Sequence, residues 1–263
     1  MLGVHVSAIT MSTAVGRLAR WIDTRTQHYV CITGVHGVIE SQDDADLRAI
    51  HNAAGMVTPD GMPMVWSAHH AGADFVERVY GPDLMLEVAR VGAERGWTFY
   101  LYGGKDGVAE QLAANLTRWY PGLEVVGWTC PPFRPLTSDE DAVVVEQINA
   151  ADPDVVWVGL STPKQERWMA GHVGRVNAPV MVGVGAAFDM HTGSVRQAPP
   201  RMQRAGLEWL FRLTQEPRRL WQRYLRNNPR FVARIIRRRP RLIDERVDPG
   251  PAEDVRGTTP RSP

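Results

Sequence analysis

Strand-length runs of apolar residues alternate with helix-length amphipathic stretches along residues 1–200. This alternation is typical of a parallel β-sheet, because each crossover between parallel strands needs a long connection that is usually a helix. We predict an α/β, Rossmann-like fold whose largely parallel sheet is flanked by helices. The strands are predicted at residues 29–33, 56–58, 98–102, 124–128, 155–159 and 180–185. The helices are predicted at residues 12–24, 46–53, 61–71, 82–95, 107–119, 140–150 and 163–173.

Several predicted helices begin at residues suited to a helix start. Ser12 and Asp106 are expected to be N-caps, and Pro163 is expected in a first turn, where its missing N–H has no cost. After Gly193 the sequence changes character, and Pro199 and Pro200 break the pattern. We therefore predict an α/β catalytic body at residues 1–200, a basic helical appendage at 201–246 and a disordered tail at 247–263.

Charge is distributed unevenly along the chain. Residues 1–200 have a net charge of −8, whereas residues 201–246 contain 14 arginines and only four acidic residues, a net charge of +10. The aromatic residues Trp209, Phe211, Trp221 and Tyr224 are interleaved with these arginines. Arginine and tryptophan both favour the headgroup layer of a bilayer, so we expect residues 201–241 to dock on an anionic membrane surface.

Two other interpretations of the basic segment stay open. Arginine-rich helices also neutralise nucleic-acid phosphates, although that interpretation leaves the motifs of the body without a purpose. Part of the segment, around Trp209 and Leu213, can instead pack on the body as ordinary structure.

The chain has two cysteines and no apolar stretch of spanning length or leader-like start. We therefore expect a cytoplasmic protein, peripheral on the inner face of the plasma membrane.

Ligands of open parallel sheets bind beyond the carboxyl ends of the strands. Five predicted strand ends lead into polar or glycine-rich loops, which place candidate binding residues together. These residues are Thr33, His36, Asp60, Gly103, Gly104, Gln165, Gly185, Phe188 and Asp189. Each loop alone has a structural explanation, because a chain that reverses direction between a strand and a helix often uses glycine.

Asp60 is the candidate catalytic residue, because a carboxylate at a strand end, between Pro59 and Gly61, faces the ligand crevice. There it could accept a proton from a sugar hydroxyl as a general base; its alternative role is an N-cap. Arg78 and Gln165 could hold phosphate or hydroxyl groups, or could be solvated at the surface. Asp83 is best explained as a first-turn carboxylate that the helix dipole favours.

The sequence gives little support for dinucleotide or metal binding. Residues 183–189 resemble a dinucleotide-binding loop but have Phe188 at the position of the third glycine, which argues against NAD and a Rossmann oxidoreductase. The pairs Asp44 with Asp46, Asp139 with Asp141 and Asp152 with Asp154 are expected at helix starts or before a strand rather than at a metal. We predict no metal and no cofactor. Of the histidines, His69, His70 and His172 are expected to pack or to be solvated, and His191 to lie near the site.

Taken together, these residues resemble the WecG/TagA/CpsF family of glycosyltransferases over nearly all of residues 29–232. The resemblance depends on motifs in a fixed order. They are Thr33 with Glu40, residues 58–61 (TPDG), 78–83 (RVYGPD), 103–104 (GG), 159–166 (GLSTPKQE), 183–189 (GVGAAFD) and 206–219 (GLEWLFRLTQEPRR).

The resemblance implies inverting, metal-independent transfer of a sugar, N-acetylmannosamine or another hexose, from a UDP-sugar. The acceptor would be a sugar on polyprenyl pyrophosphate in surface-polymer synthesis. By resemblance Asp60 is the base, and Thr33, Arg78 and Gln165 line the pocket. Arginines of the appendage would approach the leaving diphosphate; these are Arg212, Arg218, Arg219 and Arg223.

One position departs from the family pattern. The family often has asparagine two residues after the threonine, where this chain has Val35 followed by His36. Valine cannot replace an amide, so either the sugar recognised there differs or His36 substitutes for the asparagine. We expect no nucleic-acid partner, and homo-oligomer formation stays open.

Overall fold

The computed structural model describes residues 1–243, which form six strands and twelve helices. The strands are β1 His28–Thr33, β2 Met56–Pro59, β3 Thr98–Gly103, β4 Glu124–Thr129, β5 Val155–Gly159 and β6 Val180–Gly183. The helices of the body are α1 Met11–Thr24, α2 Val35–Asp43, α3 Ala45–Ala53, α4 Met62–His70, α5 Gly81–Arg95, α6 Val108–Trp119, α7 Ser138–Ala151, α8 Lys164–His172 and α9 Ala187–His191. Three more follow Pro199: α10 Pro200–Arg204, α11 Glu208–Gln215 and α12 Pro217–Arg237.

The six strands form one sheet in the order β2-β1-β6-β5-β3-β4, and every strand pair is parallel. In the middle of the sheet, Val30 of β1 lies opposite Met56 on one side and Val182 on the other. All six predicted strands and the α/β class are confirmed. Because every strand pair is parallel, the carboxyl ends of all six strands lie at one edge of the sheet.

Both faces of the sheet are buried, which explains why the strands are almost continuously apolar. On one face Phe99 and Trp157 pack with helices α1, α5 and α6. On the opposite face Tyr102 and Met181 pack with residues of α2 and α8. Cys31 of β1 is fully buried.

The seven predicted helices are present with small differences at their ends, but two predicted N-caps are wrong. Thr10, not Ser12, caps α1 by accepting a hydrogen bond from the N–H of Thr13. Gly107, not Asp106, precedes α6, and it adopts φ +79°, a left-handed conformation that glycine tolerates. The predictions also missed α2 and α9.

The acidic pairs lie at helix ends and at the start of a strand. Asp44 caps α3, and Asp139 and Asp141 lie in the first turn of α7. Asp152 follows the end of α7, and Asp154 accepts a hydrogen bond from the N–H of Thr98. No group of three metal-binding side chains occurs among residues 1–243.

The helices after Pro199 pack against the body. The long helix α12 begins at Pro217, and its side chains Leu220, Asn227 and Phe231 are buried. In the described residues, no helix is both long and apolar enough to cross a membrane. The last three residues of the predicted appendage and its predicted disordered tail lie outside the described residues.

Candidate active site

A cleft of about 260 Å³ opens at the carboxyl edge of the sheet. Its floor is formed by the ends of β1 and β6, and its walls come from the loops after β2, β5 and β6 and from the start of α5. The appendage forms the remaining wall through Arg212, Leu220 and Arg223. The cleft therefore combines residues from both parts of the chain.

Asp60 lies in this cleft directly after β2. Its backbone N–H donates to the carbonyl oxygen of Thr33 at 3.1 Å, which links the ends of β2 and β1. Its alternative role as an N-cap is not observed, because Gly61 precedes α4 and no side chain caps that helix. The carboxylate of Asp60 is thus left for the cleft.

The surroundings of Asp60 suit a base that works near neutral pH. Burial, and then the nearby charge of Glu208, raise the pKa of Asp60 to about 6. The positive charges of Arg78, Arg212 and Arg223 act in the opposite direction and limit the rise. A carboxyl group with a raised pKa binds a proton more readily than an ordinary aspartate while remaining ionised at pH 7.

Arg212 and Arg223 supply positive charge opposite the loops of the body. Both line the cleft, and both are close enough to Asp60 to lower its pKa. Within residues 1–243 the Nε of Arg212 has no hydrogen-bond partner although it is buried. A buried guanidinium donor in this situation is suited to an anionic ligand.

Arg78 does not line the cleft but joins the body to the appendage. Its guanidinium donates to Glu208 at 2.7 Å, to Asp83 at 3.3 Å and to Gln203. It also lies over the ring of Tyr80, 4.3 Å from the centroid. Its side chain is only 13 % exposed, so the surface-solvated alternative is wrong, and Asp83 is an ion-pair partner as well as a first-turn residue.

Gln165 is buried rather than solvated and lines the cleft. Its Oε1 has no hydrogen-bond partner among the described residues. The hydroxyl of Thr33 is likewise buried and without a partner in residues 1–243, although Thr33 itself does not line the cleft. Buried polar atoms without a partner are uncommon in folded proteins, so the Gln165 oxygen, whose residue lines the cleft, is a candidate contact for a ligand.

Within the β6–α9 loop and the β3 end, the predicted residues divide into two groups. Gly185 and Asp189 line the cleft. Gly103, Gly104 and Phe188 instead serve close packing: a Cβ on Gly103 would lie 2.7 Å from the backbone of Gly159, and one on Gly104 would lie 3.3 Å from the Phe188 ring. Their predicted contact with substrate stays a prediction.

His36 faces the appendage. Its Nδ1 accepts a hydrogen bond from Nδ2 of Asn227 in α12 at 2.8 Å, and Glu40 lies 3.6 Å away. Burial, with a further contribution from the charge of Arg223, lowers the pKa of His36 to about 3. His36 is therefore neutral at physiological pH. The position where the family often has asparagine is occupied by Val35, the first residue of α2, which has no amide side chain.

The other predicted residues lie at the edge of the site or outside it. Arg218 is exposed and is not part of the cleft wall, and the side chain of Arg219 lies outside the described structure. His191 donates a hydrogen bond from Nε2 to the carbonyl oxygen of Pro82, a cleft residue, at 3.0 Å. His69 and His172 make hydrogen bonds within the body.

Sequence reasoning did not assign roles to Glu208, Gln203, Tyr80 and Asn227, which hold Arg78 or His36. Glu208 and Tyr80 belong to motifs that the sequence analysis singled out. Gln203 and Asn227 carry no such signal, because their partners are distant in sequence.

Similarity to known proteins identifies the family of this chain. A family model, described as the glycosyl transferase WecG/TagA/CpsF family, matches residues 1–244. The chain belongs to this family. It is therefore a glycosyltransferase. This favours the glycosyltransferase interpretation over the nucleic-acid-binding and oxidoreductase alternatives.

Two curated relatives are similar over most of their length. One, from Bacillus subtilis (strain 168), is named N-acetylglucosaminyldiphosphoundecaprenol N-acetyl-beta-D-mannosaminyltransferase; it is 27 % identical over 228 residues, 84 % of this chain and 86 % of the relative. The other, from Bacillus spizizenii (strain ATCC 23059 / NRRL B-14472 / W23), has the same name. It is 27 % identical over 198 residues, 75 % of this chain and 74 % of the relative.

Proposed function

We propose that this glycosyltransferase moves N-acetylmannosamine or another hexose from a UDP-sugar to a sugar carried on polyprenyl diphosphate, with inversion at the anomeric carbon. The names of the two relatives support the lipid-linked acceptor and the transferred sugar. The observation that carries the proposal is the meeting of Asp60 with Arg212 and Arg223 in one cleft. Base and anion-binding groups are the two elements that such a transfer needs.

The proposed reaction is a single displacement. Asp60, ionised, accepts the proton of the acceptor hydroxyl while the hydroxyl oxygen forms a bond to the anomeric carbon. The bond from that carbon to the β-phosphate oxygen breaks, and UDP departs with the electron pair. Attack from the face opposite to the leaving group inverts the configuration, so one base suffices and no covalent sugar–enzyme intermediate forms.

Charge develops on the departing diphosphate and must be stabilised in the transition state. Arg212 and Arg223 line the cleft and carry fixed positive charge, and a guanidinium can bind phosphate oxygens through two parallel hydrogen bonds. We propose that these two arginines perform the task that Mg²⁺ performs in many nucleotide-sugar enzymes. Because both arginines come from the appendage, catalysis would require the appendage to be packed against the body.

Membrane attachment is the second part of the proposal. On α12 the exposed residues Trp221, Leu225, Val232 and Ile236 follow one another at intervals of four, seven and four, which places them on one helix face. The buried residues Leu220, Asn227 and Phe231 lie on another face, toward the body. An apolar face beside exposed arginines is suited to the surface of an anionic bilayer at the inner face of the plasma membrane, where the lipid-linked acceptor would be used.

The test is a transfer assay with the full chain, anionic vesicles and an N-acetylglucosaminyl polyprenyl diphosphate acceptor. A panel of UDP-hexoses and UDP-N-acetylhexosamines is offered, with and without EDTA. We expect turnover with one or a few UDP-sugars, unaffected by EDTA, and a product of inverted anomeric configuration by NMR. Retention of configuration would refute the single displacement, and turnover that EDTA abolishes would refute the role of the arginines.

A further inference from the structure

A carboxyl group lies fully buried beneath the cleft. Glu166, in the first turn of α8, has 0 % of its surface exposed. Its Oε1 accepts hydrogen bonds from the hydroxyl of Thr162 at 2.8 Å and from Nε2 of Gln165 at 3.2 Å. Both donors belong to residues that line the cleft, whereas Glu166 itself does not reach it. Burying a carboxyl group has a free-energy cost, so its presence here calls for a purpose.

The contact with Glu166 fixes which end of the Gln165 amide faces the cleft. A side-chain amide has a donor end and an acceptor end that can exchange by a half-turn. Oε1 of Glu166 accepts from Nε2 of Gln165 at 3.2 Å, so the NH₂ group points to the carboxyl group and the carbonyl oxygen points away from it. This oxygen is the buried Oε1 that has no partner among the described residues.

The opposite wall is shaped to admit this amide. A Cβ on Gly183 would lie 3.0 Å from Nε2 of Gln165, and one on Gly185 would lie 3.5 Å from Oε1. Glycine at these two positions leaves room for the amide to stand at the cleft surface. Side chains there would press on it or cover it.

We propose that Glu166 is a positioning residue, which holds the Gln165 amide so that its carbonyl oxygen accepts a hydrogen bond from an N–H or O–H group of the nucleotide-sugar donor. This inference rests on the proposed function, because it takes a UDP-sugar as the occupant of the cleft. Burial raises the pKa of Glu166, and the hydrogen bonds from Thr162 and Gln165 lower it in part. Oε1 accepts from Gln165 when the carboxyl group is ionised, and also when its proton is on Oε2.

The experiment is a double-mutant cycle on the full-length enzyme, read by calorimetric binding of UDP and of the UDP-sugar and by steady-state kinetics. Glu166→Ala removes the acceptor and lets the amide turn, so we expect Kd and KM for the donor to rise about 10-fold while kcat changes less. Gln165→Ala should have a similar effect. The double variant should bind the donor no more weakly than Gln165→Ala alone, since Glu166 acts only through Gln165.

Glu166→Gln is the conservative variant, because its amide oxygen can still accept from Nε2 of Gln165. We expect it to restore Kd to within about threefold of the wild type. If the affinity loss of Glu166→Ala appears with UDP alone, the recognised group lies on the nucleotide; if it appears only with the UDP-sugar, the group lies on the sugar. Either result supports the inference.

Two outcomes would overturn it. Additive losses in the double variant, or unchanged donor affinity in Glu166→Ala, would show that Glu166 does not orient Gln165. Should Glu166→Ala fail to fold, Glu166→Met takes its place in the cycle, because it keeps the length of the side chain but offers Nε2 of Gln165 no oxygen acceptor; unchanged donor affinity in that variant would likewise overturn the inference. Wild-type enzyme that binds no UDP or UDP-sugar would instead refute the proposed donor, which is a distinguishable failure.

Discussion

Asn227 of α12 donates a hydrogen bond to Nδ1 of His36 at 2.8 Å, across 191 residues of sequence. His36 lies in the first turn of α2, directly after the strand that ends at Thr33. The side chain of Asn227 is buried, and Arg230, one turn later in α12, donates two hydrogen bonds of 2.8 Å to Asp43 at the end of α2. The appendage is thus attached along the whole of α2.

We expect Asn227→Leu to loosen this attachment. The change removes the hydrogen bond and leaves His36 without that donor, at a cost of about 1–3 kcal/mol. Hydrogen exchange should rise across α12, and kcat/KM should fall because Arg223 lies in the same helix and lines the cleft. Gln222→Leu, at an exposed position of α12, is the matched control and should change neither. Unchanged exchange in Asn227→Leu would contradict the attachment.

A second prediction concerns the ionisation of Asp60. Its pKa is raised to about 6, and the base is active only when ionised, so kcat/KM should increase with pH through about 6 and then level off. Asp60→Asn should lower kcat by a factor of about 10²–10⁴, the usual contribution of a general base.

The same variant has a predicted effect on stability. A carboxyl group whose pKa is raised on folding stabilises the protein below its unfolded pKa, and this stability is lost as pH rises through about 6. The amide side chain introduced by Asp60→Asn is neutral at all pH values, so near pH 7 the melting temperature of this variant should equal or exceed that of the wild type.

Asp139→Asn, at an exposed position in the first turn of α7, is the control for the activity of Asp60→Asn. An Asp60→Asn enzyme with normal turnover would remove Asp60 from the mechanism.

The fold was predictable because a doubly covered parallel sheet leaves a strong signal. Each strand alternates between two apolar faces, so β1, β5 and β6 appear as continuous apolar runs between amphipathic helices. Helix α2 was missed for a physical reason. Gly34 and Gly37 favour a loop by propensity, whereas Val38 and Ile39 are buried in the core and so stabilise a helix that the local sequence does not favour.

The site was predictable only where it follows from strand ends. Asp60, Gln165, Gly185 and Asp189 line the cleft because loops at the carboxyl edge of a parallel sheet meet. The environment of Arg78 was not predictable, because its partner Glu208 is 130 residues away and no local pattern specifies that pair. The packing role of Gly104 against Phe188 likewise depends on contact between separate loops.

A third prediction separates charge from geometry at the diphosphate. Arg212→Lys keeps the positive charge but loses the planar group that binds two phosphate oxygens at once. We expect kcat to fall at least 10-fold, with a smaller change in donor Kd, because the charge that needs stabilising is greatest in the transition state. Arg118→Lys, at an exposed position of α6, should leave kcat unchanged. Equal losses in kcat and in donor affinity would instead indicate a role in ground-state binding alone.

The final prediction tests the exposed face of α12 as the membrane contact. Leu225 and Ile236 are 67 % and 72 % exposed and lie on the same face, so they can enter a bilayer without any change in the packing of α12 on α2. The variant Leu225→Ser with Ile236→Ser keeps every arginine, and it should reduce sedimentation with anionic vesicles at least 10-fold. Val143→Ser, an equally polar change at an exposed position of α7, should have no effect.

The arginines make a separate contribution that salt can reveal. Each arginine near an anionic surface contributes about 1 kcal/mol, and this attraction is screened as ionic strength rises. Arg237→Gln with Arg238→Gln should therefore weaken binding at low salt but differ little from the wild type at high salt, whereas the serine variant should be weak at both. With a short-chain acceptor that is soluble in water, the serine variant should retain wild-type kcat, because its substitutions lie outside the cleft. Loss of activity with the soluble acceptor would mean that this face stabilises the packing of the appendage on the body and does not serve as the membrane contact.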